Sequence, residues 1–335
     1  MQIRRFGNTG LKVSELCLGT MTFGNQADQQ TSFKIMDVAW EGGIQFFDTA
    51  NVYPLGGGLE RVGQTEEIVG RWIRERGVRE DMVLVSKARG KMGPGANDEG
   101  LGKKHLWKAL EDTLTRLQTD YLDLYLMHWP DAETPIEETL ETLTEMVGRG
   151  LVRYIGCSNY PAWQLAASLL SSERNGLKKF QVVQPRYNAL FRMIEEDILP
   201  LCQLEGIGTM VYNPLAGGML TGRYRERALE GGSRFTLENS GELYKKRYWN
   251  DAVFEAVETL SNFFEPRGKS LTHAALAWVL QKQGVSSAII GASKPEQLTD
   301  SLQALDLIFE PEELEAFEGA WFSLPRERDL GVARR

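Results

Sequence analysis

Short apolar runs alternate with longer stretches of helical period along most of the chain. The runs are ELCLGTM, IQFFD, MVLVSK, YLDLYLMHW, VRYIGCSN, FQVVQPRYN, IGTMVYNPLAGG and SSAIIGAS. Each is short, rich in β-branched or aromatic residues and bounded by polar or glycine positions, so each predicts a buried strand. Between them, apolar residues recur at three- and four-residue spacing, the signature of an amphipathic helix. DQQTSFKIMDVAWEGG predicts a helix ended by glycine. TEEIVGRWIRERG predicts another, capped by Thr65 with Glu66 and Glu67 in its first turn. Further helices are predicted at KKHLWKALEDTLTRLQ, PIEETLETLTEMVGRG, PAWQLAASLLSSE, EEDILPLCQLEG, residues 249–264, LTHAALAWVLQKQG and PEQLTDSLQAL.

Strand and helix in strict alternation predict a parallel sheet. Eight such units in 335 residues predict an α/β fold of the closed (β/α)₈ TIM-barrel type with extra segments. The rival is an open doubly wound sheet, which would carry GxGxxG after its first strand. That place holds LGTMTFGNQ, which lacks the spacing. The surplus length falls in an N-terminal hairpin (MQIRRFGNTGLKVS, turning at Asn8–Thr9–Gly10), in residues 215–248, and in the tail after Glu310. No Pro- or Ser-rich linker interrupts the pattern, so residues 1–335 read as a single domain.

Active sites of such barrels form at the C-terminal ends of the strands. There the sequence places Asp48, Tyr53, Lys87, His128, Ser158, Asn159, Gln184, Tyr212 and Ser293. Each has a bland reading. A lone histidine after an apolar strand is usually structural, Asp48 could cap a turn, and Tyr53 or Tyr212 could pack in a wall. An acid, a phenol, an amine and an imidazole converging on one barrel mouth point instead to chemistry. A Lys⁺ beside a phenol favours its ionised form and lowers its pKa, while Asp48 would hold that lysine charged. Such a tyrosine can protonate a carbonyl oxygen, and His128 can orient that oxygen. The site has no serine or cysteine nucleophile, and the alternative of a Schiff base on Lys87 suits an uncharged lysine. Carbonyl reduction then requires a hydride, which no side chain supplies, so a nicotinamide is expected. IIGASKPEQLTDSL offers a phosphate site: Gly291, then Ser293 capping a helix with Glu296 as capping box, and Lys294 adding positive charge.

Composition narrows the partners. The net charge of −8, without a basic cluster, argues against nucleic acid. No apolar run is long enough to span a membrane, and the N-terminus lacks a secretory pattern, so a cytoplasmic location is expected. Cys17, Cys157 and Cys202 read as buried thiols in a reducing compartment. His105, His128 and His273 are too scattered for a metal site, so none is expected.

LGTMTFG, GIQFFDTANVYPLG, LVSKARGKMG, LQTDYLDLYLMHWPD, VRYIGCSNY, VVQPRYN, YNPLAGGMLTGRY and IIGASKPEQL together resemble the aldo-keto reductases, in that family's order along the chain. The resemblance implies an NADP(H)-binding barrel that reduces aldehydes or ketones reversibly, with Asp48, Tyr53, Lys87 and His128 as catalytic tetrad and Tyr53 as general acid. It implies that Thr20, Met21 and Asp48 lie beside the nicotinamide ribose. Ser158, Asn159 and Gln184 would bind the carboxamide, and Tyr212 would stack on the ring. Pro214, Leu215, Gly217 and Arg223 would wrap the pyrophosphate, and Gly291, Ser293, Lys294, Gln297 and Ser301 would meet the adenosine end. Many relatives carry an arginine where this chain has Gln297, whereas the branch resembling potassium-channel β subunits uses Gln. Asp300 and Ser301 depart from that branch's usual Glu-Asn. A nucleotide-binding auxiliary subunit with little turnover is therefore the alternative. Phe23, Tyr53, His128 and Trp129, with Met21 and the loops PLGGGLERVGQ, ARGKMGPGANDEGLG and 225–249, are expected to wall the site for a small carbonyl substrate, sugar carbonyls included.

Overall fold

The structure is a computed structural model that describes residues 1–229, 231–238 and 240–326. Two short antiparallel strands open the chain: β1 (Ile3–Arg5) and β2 (Lys12–Ser14). The turn between them is tied by its own threonine, whose Oγ1 donates to the Phe6 carbonyl at 2.6 Å. The barrel follows, with β3 (Leu16–Gly19), α1 (Gln29–Glu41), β4 (Phe46–Asp48), α2 (Gln64–Arg76), β5 (Val83–Ala88) and α3 (Lys103–Leu117). It continues through β6 (Leu122–Met127), α4 (Ile136–Gly148), β7 (Val152–Ser158), α5 (Ala162–Asn175), β8 (Val182–Gln184) and α6 (Ile198–Glu205). β9 (Gly208–Val211), α7 (Gly241–Tyr248), α8 (Asp251–Phe264), α9 (Leu271–Leu280), β10 (Ser287–Gly291), α10 (Pro295–Leu302) and α11 (Pro311–Ser323) complete it. β3 to β10 pair in parallel and in sequence order, and β10 returns to β3, pairing Gly291 with Gly19, so the barrel is closed.

Strand side chains alternate between two apolar environments, which is why the strands read as continuous hydrophobic runs. Cys17, Phe46, Val85, Leu124, Leu126, Val182 and Met210 point inward and fill the barrel. Leu18, Phe47, Leu84, Tyr125, Ile155 and Val211 belong to the outer layer with the helices. There Trp72 of α2 stacks on Phe47 at 5.4 Å. The hairpin plugs the N-terminal end: Phe6 meets Phe46 edge-on at 5.7 Å, and a Cβ on Gly208 would lie 2.5 Å from the Phe6 ring. With that end sealed, the opposite mouth is left for chemistry.

Helix starts differ from expectation in two places. Asp28 caps α1 as its residue type suggests, its Oδ1 accepting from the Thr31 N–H. α2, however, begins after Gly63, and the Thr65 hydroxyl donates instead to the Phe23 carbonyl at 2.7 Å. α5 begins after Pro161 without a side-chain cap. Lys294, not Ser293, is the N-cap residue of α10, because Pro295 fits the first helical position; the Ser293–Glu296 capping box does not form. The tail after Glu310 also holds a helix. In α11 Phe317 packs on Phe264 at 5.1 Å and on Trp278 at 5.6 Å. Among the described residues, no helix is long and apolar enough to cross a membrane. The three cysteines are free and buried.

Candidate active site

β4 ends on Asp48, β5 carries Lys87 one residue before its end, and His128 follows β6 directly. Parallel register brings these ends to one rim. Lys87 is wholly buried, and its Nζ donates to Asp48 Oδ2 at 2.6 Å and to the Thr49 carbonyl at 2.8 Å. The other carboxylate oxygen of Asp48 accepts from Gln184 Nε2 at 2.8 Å. Asp48 therefore ties β4 to β5 and, across the barrel, to β8. Two directed donors to a buried carboxylate give this acid one geometry. An ammonium with two acceptors is also not a free amine, which weighs against Schiff-base chemistry at Lys87.

Tyr53 is delivered by the loop after β4. Its carbonyl accepts from the Gly63 N–H at 3.1 Å, and Gly63 has φ +85° where a Cβ would lie 2.7 Å from Arg116 Cδ. The glycine-rich loop thus folds back tightly enough to fix the phenol. The Tyr53 ring centroid lies 5.2 Å from Lys87 Nζ, and the ring meets His128 edge-on at 5.8 Å. His128 stacks on Trp129 at 3.8 Å, and its Nδ1 is buried without a hydrogen-bond partner. Acid, amine, phenol and imidazole are therefore one contiguous cluster.

The electrostatics correct one expectation. Burial, reinforced by the Asp48 charge, pushes the Tyr53 phenol well above its ordinary value. The Lys87 ammonium, paired at 2.6 Å with Asp48, does not outweigh burial. The phenol is protonated at neutral pH, the form a proton donor requires. Burial, then the Lys87 and Arg89 charges, hold His128 well below the usual imidazole range, so it is neutral. Burial raises Asp48 from the ordinary carboxylate value, while Lys87 and Gln184 pull it back.

Above the cluster opens a cavity of about 830 Å³, lined by Asp48, Tyr53, His128 and Trp129. Its next stretch of wall holds Met21, Ser158, Asn159, Gln184 and Tyr212. Asn159 donates to the His128 carbonyl at 2.9 Å and accepts from the Tyr212 hydroxyl at 2.8 Å, which links β6, β7 and β9 at the rim. Pro214, Leu215, Gly217 and Arg223 continue the wall after β9. Gly291, Ser293, Lys294, Gln297 and Ser301 form its far end after β10. Gln297 Oε1 accepts there from the Ser293 N–H at 2.8 Å.

Two expected positions lie elsewhere. Thr20 is wholly buried behind the cavity wall, and its hydroxyl donates to the Asp48 carbonyl at 2.9 Å. Phe23 is also wholly buried and lines no part of the cavity, because the loop after β3 turns its ring into the core beneath α2. Nor does the loop after Lys87 reach the cavity; it folds on itself, with the Met92 N–H donating to Asp98 and the Gly100 N–H to Arg89. The wall is completed by Arg234, Leu243, Tyr244 and Arg247. Arg234 Nη1 is buried with no partner among the described residues, and its cation lines the cavity. The alternation of apolar and polar residues gives no signal for Arg234, which sits in irregular chain; only its charge next to Phe235 inside the surplus segment marks it.

Arg223, Arg234 and Lys294 in one cavity wall fit a phosphorylated ligand, and the buried cluster fits a carbonyl at the other end. The Aldo/keto reductase family profile matches residues 15–321. A probable voltage-gated potassium channel subunit beta of Arabidopsis thaliana is 37% identical over 310 residues, 92% of each chain. The uncharacterized oxidoreductase YrpG of Bacillus subtilis is 37% identical over 317 residues, 93% of each chain. Norsolorinic acid reductase A of Aspergillus parasiticus is 34% identical over 326 residues, 93% of this chain and 79% of that one. With the barrel and the buried cluster, these matches establish that the chain belongs to the aldo/keto reductase family.

Proposed function

We propose that the protein is an NADPH-dependent reductase of aldehydes and ketones, working reversibly, with Tyr53 as general acid. The observation that carries this reading is the contiguity of Tyr53, Lys87, Asp48 and His128 at one end of a cavity of about 830 Å³ whose wall runs on to Lys294 and Gln297. When bound, a reduced nicotinamide supplies the hydride. The chain supplies the rest. Tyr53 holds a proton at Oη in a buried site where a substrate oxygen can receive it. Neutral His128 donates a hydrogen bond to that oxygen without competing for the proton. Lys87 leaves its charge 5.2 Å from the phenol ring, so that negative charge developing on Tyr53 meets an ammonium already in place. Asp48 and the Thr49 carbonyl keep that ammonium fixed.

Ser158, Asn159 and Gln184 offer amide and hydroxyl groups for a carboxamide, and Tyr212 offers a flat ring. Lys294, Arg223 and Arg234 supply positive charge for phosphates, which favours NADPH over NADH. Met21, Leu55, Trp129, Leu243 and Tyr244 give the substrate end an apolar, aromatic wall suited to aromatic or aliphatic carbonyl compounds. Tyr53→Phe is the decisive test. It should retain NADPH affinity within about threefold but lose two to four orders of magnitude, roughly, in aldehyde reduction, the usual scale of general acid catalysis. A variant that reduces at the parent rate removes Tyr53 from the acid role.

A second reading, a nucleotide-binding auxiliary subunit, is favoured by the channel-subunit name of the Arabidopsis relative. The parent protein separates the two. Tight NADPH binding without oxidation across a panel of aldehydes and ketones supports the auxiliary role, and steady oxidation excludes a purely auxiliary one.

A further inference from the structure

The cavity wall that follows β9 is held in a conformation that its sequence does not favour. Asn213 (φ +64°), Ala216 (+51°), Gly217 (+69°) and Gly218 (+99°) all occupy left-handed backbone. Glycine does so freely, but Asn213 and Ala216 carry a Cβ, and such residues persist there only when their surroundings over-determine them. The determinant comes from α7, far along the chain. Tyr248 is almost wholly buried, and its hydroxyl oxygen accepts from Asn213 Nδ2 at 2.8 Å and from Asn188 Nδ2 at 3.1 Å. Asn188 Nδ2 donates in addition to the Asn213 carbonyl at 3.0 Å. Asn213 Oδ1 in turn accepts from the Gly217 N–H at 2.6 Å. The turn is thus closed on a side chain whose other end rests on Tyr248. Tyr244, one turn earlier on α7, seals the contact: a Cβ on Gly217 would lie 2.8 Å from its ring.

The geometry points to Tyr248 as a positioning residue for the dinucleotide, acting through Asn213 on the 214–218 wall. This rests on the cofactor reading above. Tyr248 itself does not line the cavity, whereas Asn213, Pro214, Leu215 and Gly217 do. The same helix presents Leu243, Tyr244 and Arg247 to the cavity, so one element sets the substrate wall and, through Tyr248, the cofactor wall.

Tyr248→Phe keeps the ring and leaves two amide donors without their acceptor. The KM for NADPH should rise about tenfold, the scale of an unpaired buried donor, while kcat at saturating cofactor falls less than about threefold. Amide exchange at Gly217 should accelerate about tenfold in the cofactor-free protein. Asn213→Gly keeps the left-handed backbone but removes the side-chain link, and should show the same two changes. The double variant should be no worse than either single one, because both act through one linkage. Additive losses overturn the inference, as does parent-like Gly217 exchange in Tyr248→Phe. A lowered melting temperature with KM and exchange unmoved assigns Tyr248 to the structure alone and equally overturns it. Exchange at Gly217 reads the linkage without cofactor, so a parent protein that binds no NADPH sinks the cofactor reading separately.

Discussion

The two ends of the cavity are built on opposite principles. At the inner end Lys87 is wholly buried, and the Asp48 carboxylate is bonded on both oxygens to residues 39 and 136 positions away. At the outer end Gln297 and Asp300 are exposed and their bonds are short-range or single. Gln297 bonds Ser293 four residues away, and Asp300 makes a 2.8 Å contact with His273. Long-range bonds in a dry interior cannot be altered one at a time, because each buried charge depends on the others. Local bonds at a wet rim can. The difference teaches that the interior cluster is fixed by the fold, whereas the outer end, proposed above to meet the cofactor's adenosine, is open to drift. The departures at Asp300 and Ser301 fall at that end.

Lys87→Met would break this contrast most severely. It leaves the Asp48 carboxylate buried without its counter-charge, which costs about 3–5 kcal/mol when one partner of a buried pair is removed. The midpoint of urea unfolding should drop with its slope unchanged. Carbonyl reduction should fall by roughly a thousandfold or more, since the ammonium that meets charge developing on Tyr53 is gone. A variant that unfolds at the parent's urea concentration would mean that the inner end is not over-determined. Gln184→Leu removes only one neutral donor from Asp48, and a loss of about 1–3 kcal/mol is expected there.

A smaller effect follows from pH. His128 is held below its ordinary value by burial and by Lys87 and Arg89, and His105 is lowered by burial as well. Unfolding releases both toward about 6.5, so below that pH the unfolded chain binds more protons than the folded one. Stability is then full above about pH 6.5 and is lost progressively as pH falls below it. His128→Asn should flatten part of that slope between about pH 5 and 7, measured as the urea midpoint at each pH. An unchanged slope would show that His128 takes up its proton as readily folded as unfolded, so that burial does not hold it neutral below about pH 6.5. Tyr53, pushed upward, contributes no titration to the rate below about pH 10.

How much of this was legible in the sequence also divides along the cavity. Each barrel strand is marked by an apolar run, since parallel strands buried on both faces leave no polar alternation to confuse the reading. The residues after those runs fell at the mouth because barrel topology sends every strand end there, as Asp48, Lys87 and His128 illustrate. Helix starts were less legible. Thr65 and Ser293 have capping chemistry, but a glycine in left-handed backbone at position 63 and a proline at 295 set the actual starts. Phe23 carries no mark that separates a core aromatic from a wall aromatic. Glu66, read as a first-turn acid, proves to be a buried hub accepting from Ser86 at 2.6 Å and Arg116 at 2.7 Å. Arg234, Tyr244 and Tyr248 were illegible because the surplus segment has no periodicity to say which face meets the site. The lowered Tyr53 pKa expected from Lys87 is not found for a related reason: burial and the Asp48 charge outweigh an ammonium that the sequence lets one count alone.

The smallest expected effect tests the outer end. Lys294 is exposed and heads α10 at the cavity's far end, where the helix N-terminus carries a partial positive charge. Exposed charge pairs are worth about 0.2–1 kcal/mol, so Lys294→Ala should narrow the proposed preference for NADPH over NADH by only about two- to fivefold. Titrating both cofactors by fluorescence would measure the ratio, and the narrowing should shrink further as salt rises above about 0.15 M, where the screening length is near 8 Å. Turnover at saturating NADPH should not change, because no bond connects Lys294 to the buried cluster among the described residues. A loss of a hundredfold, insensitive to salt, would contradict the contrast drawn between the two ends. It would mean that the rim closes over the phosphate on binding and that Lys294 then acts in the same low-dielectric regime as Lys87, with both ends of the cavity equally rigid in the complex.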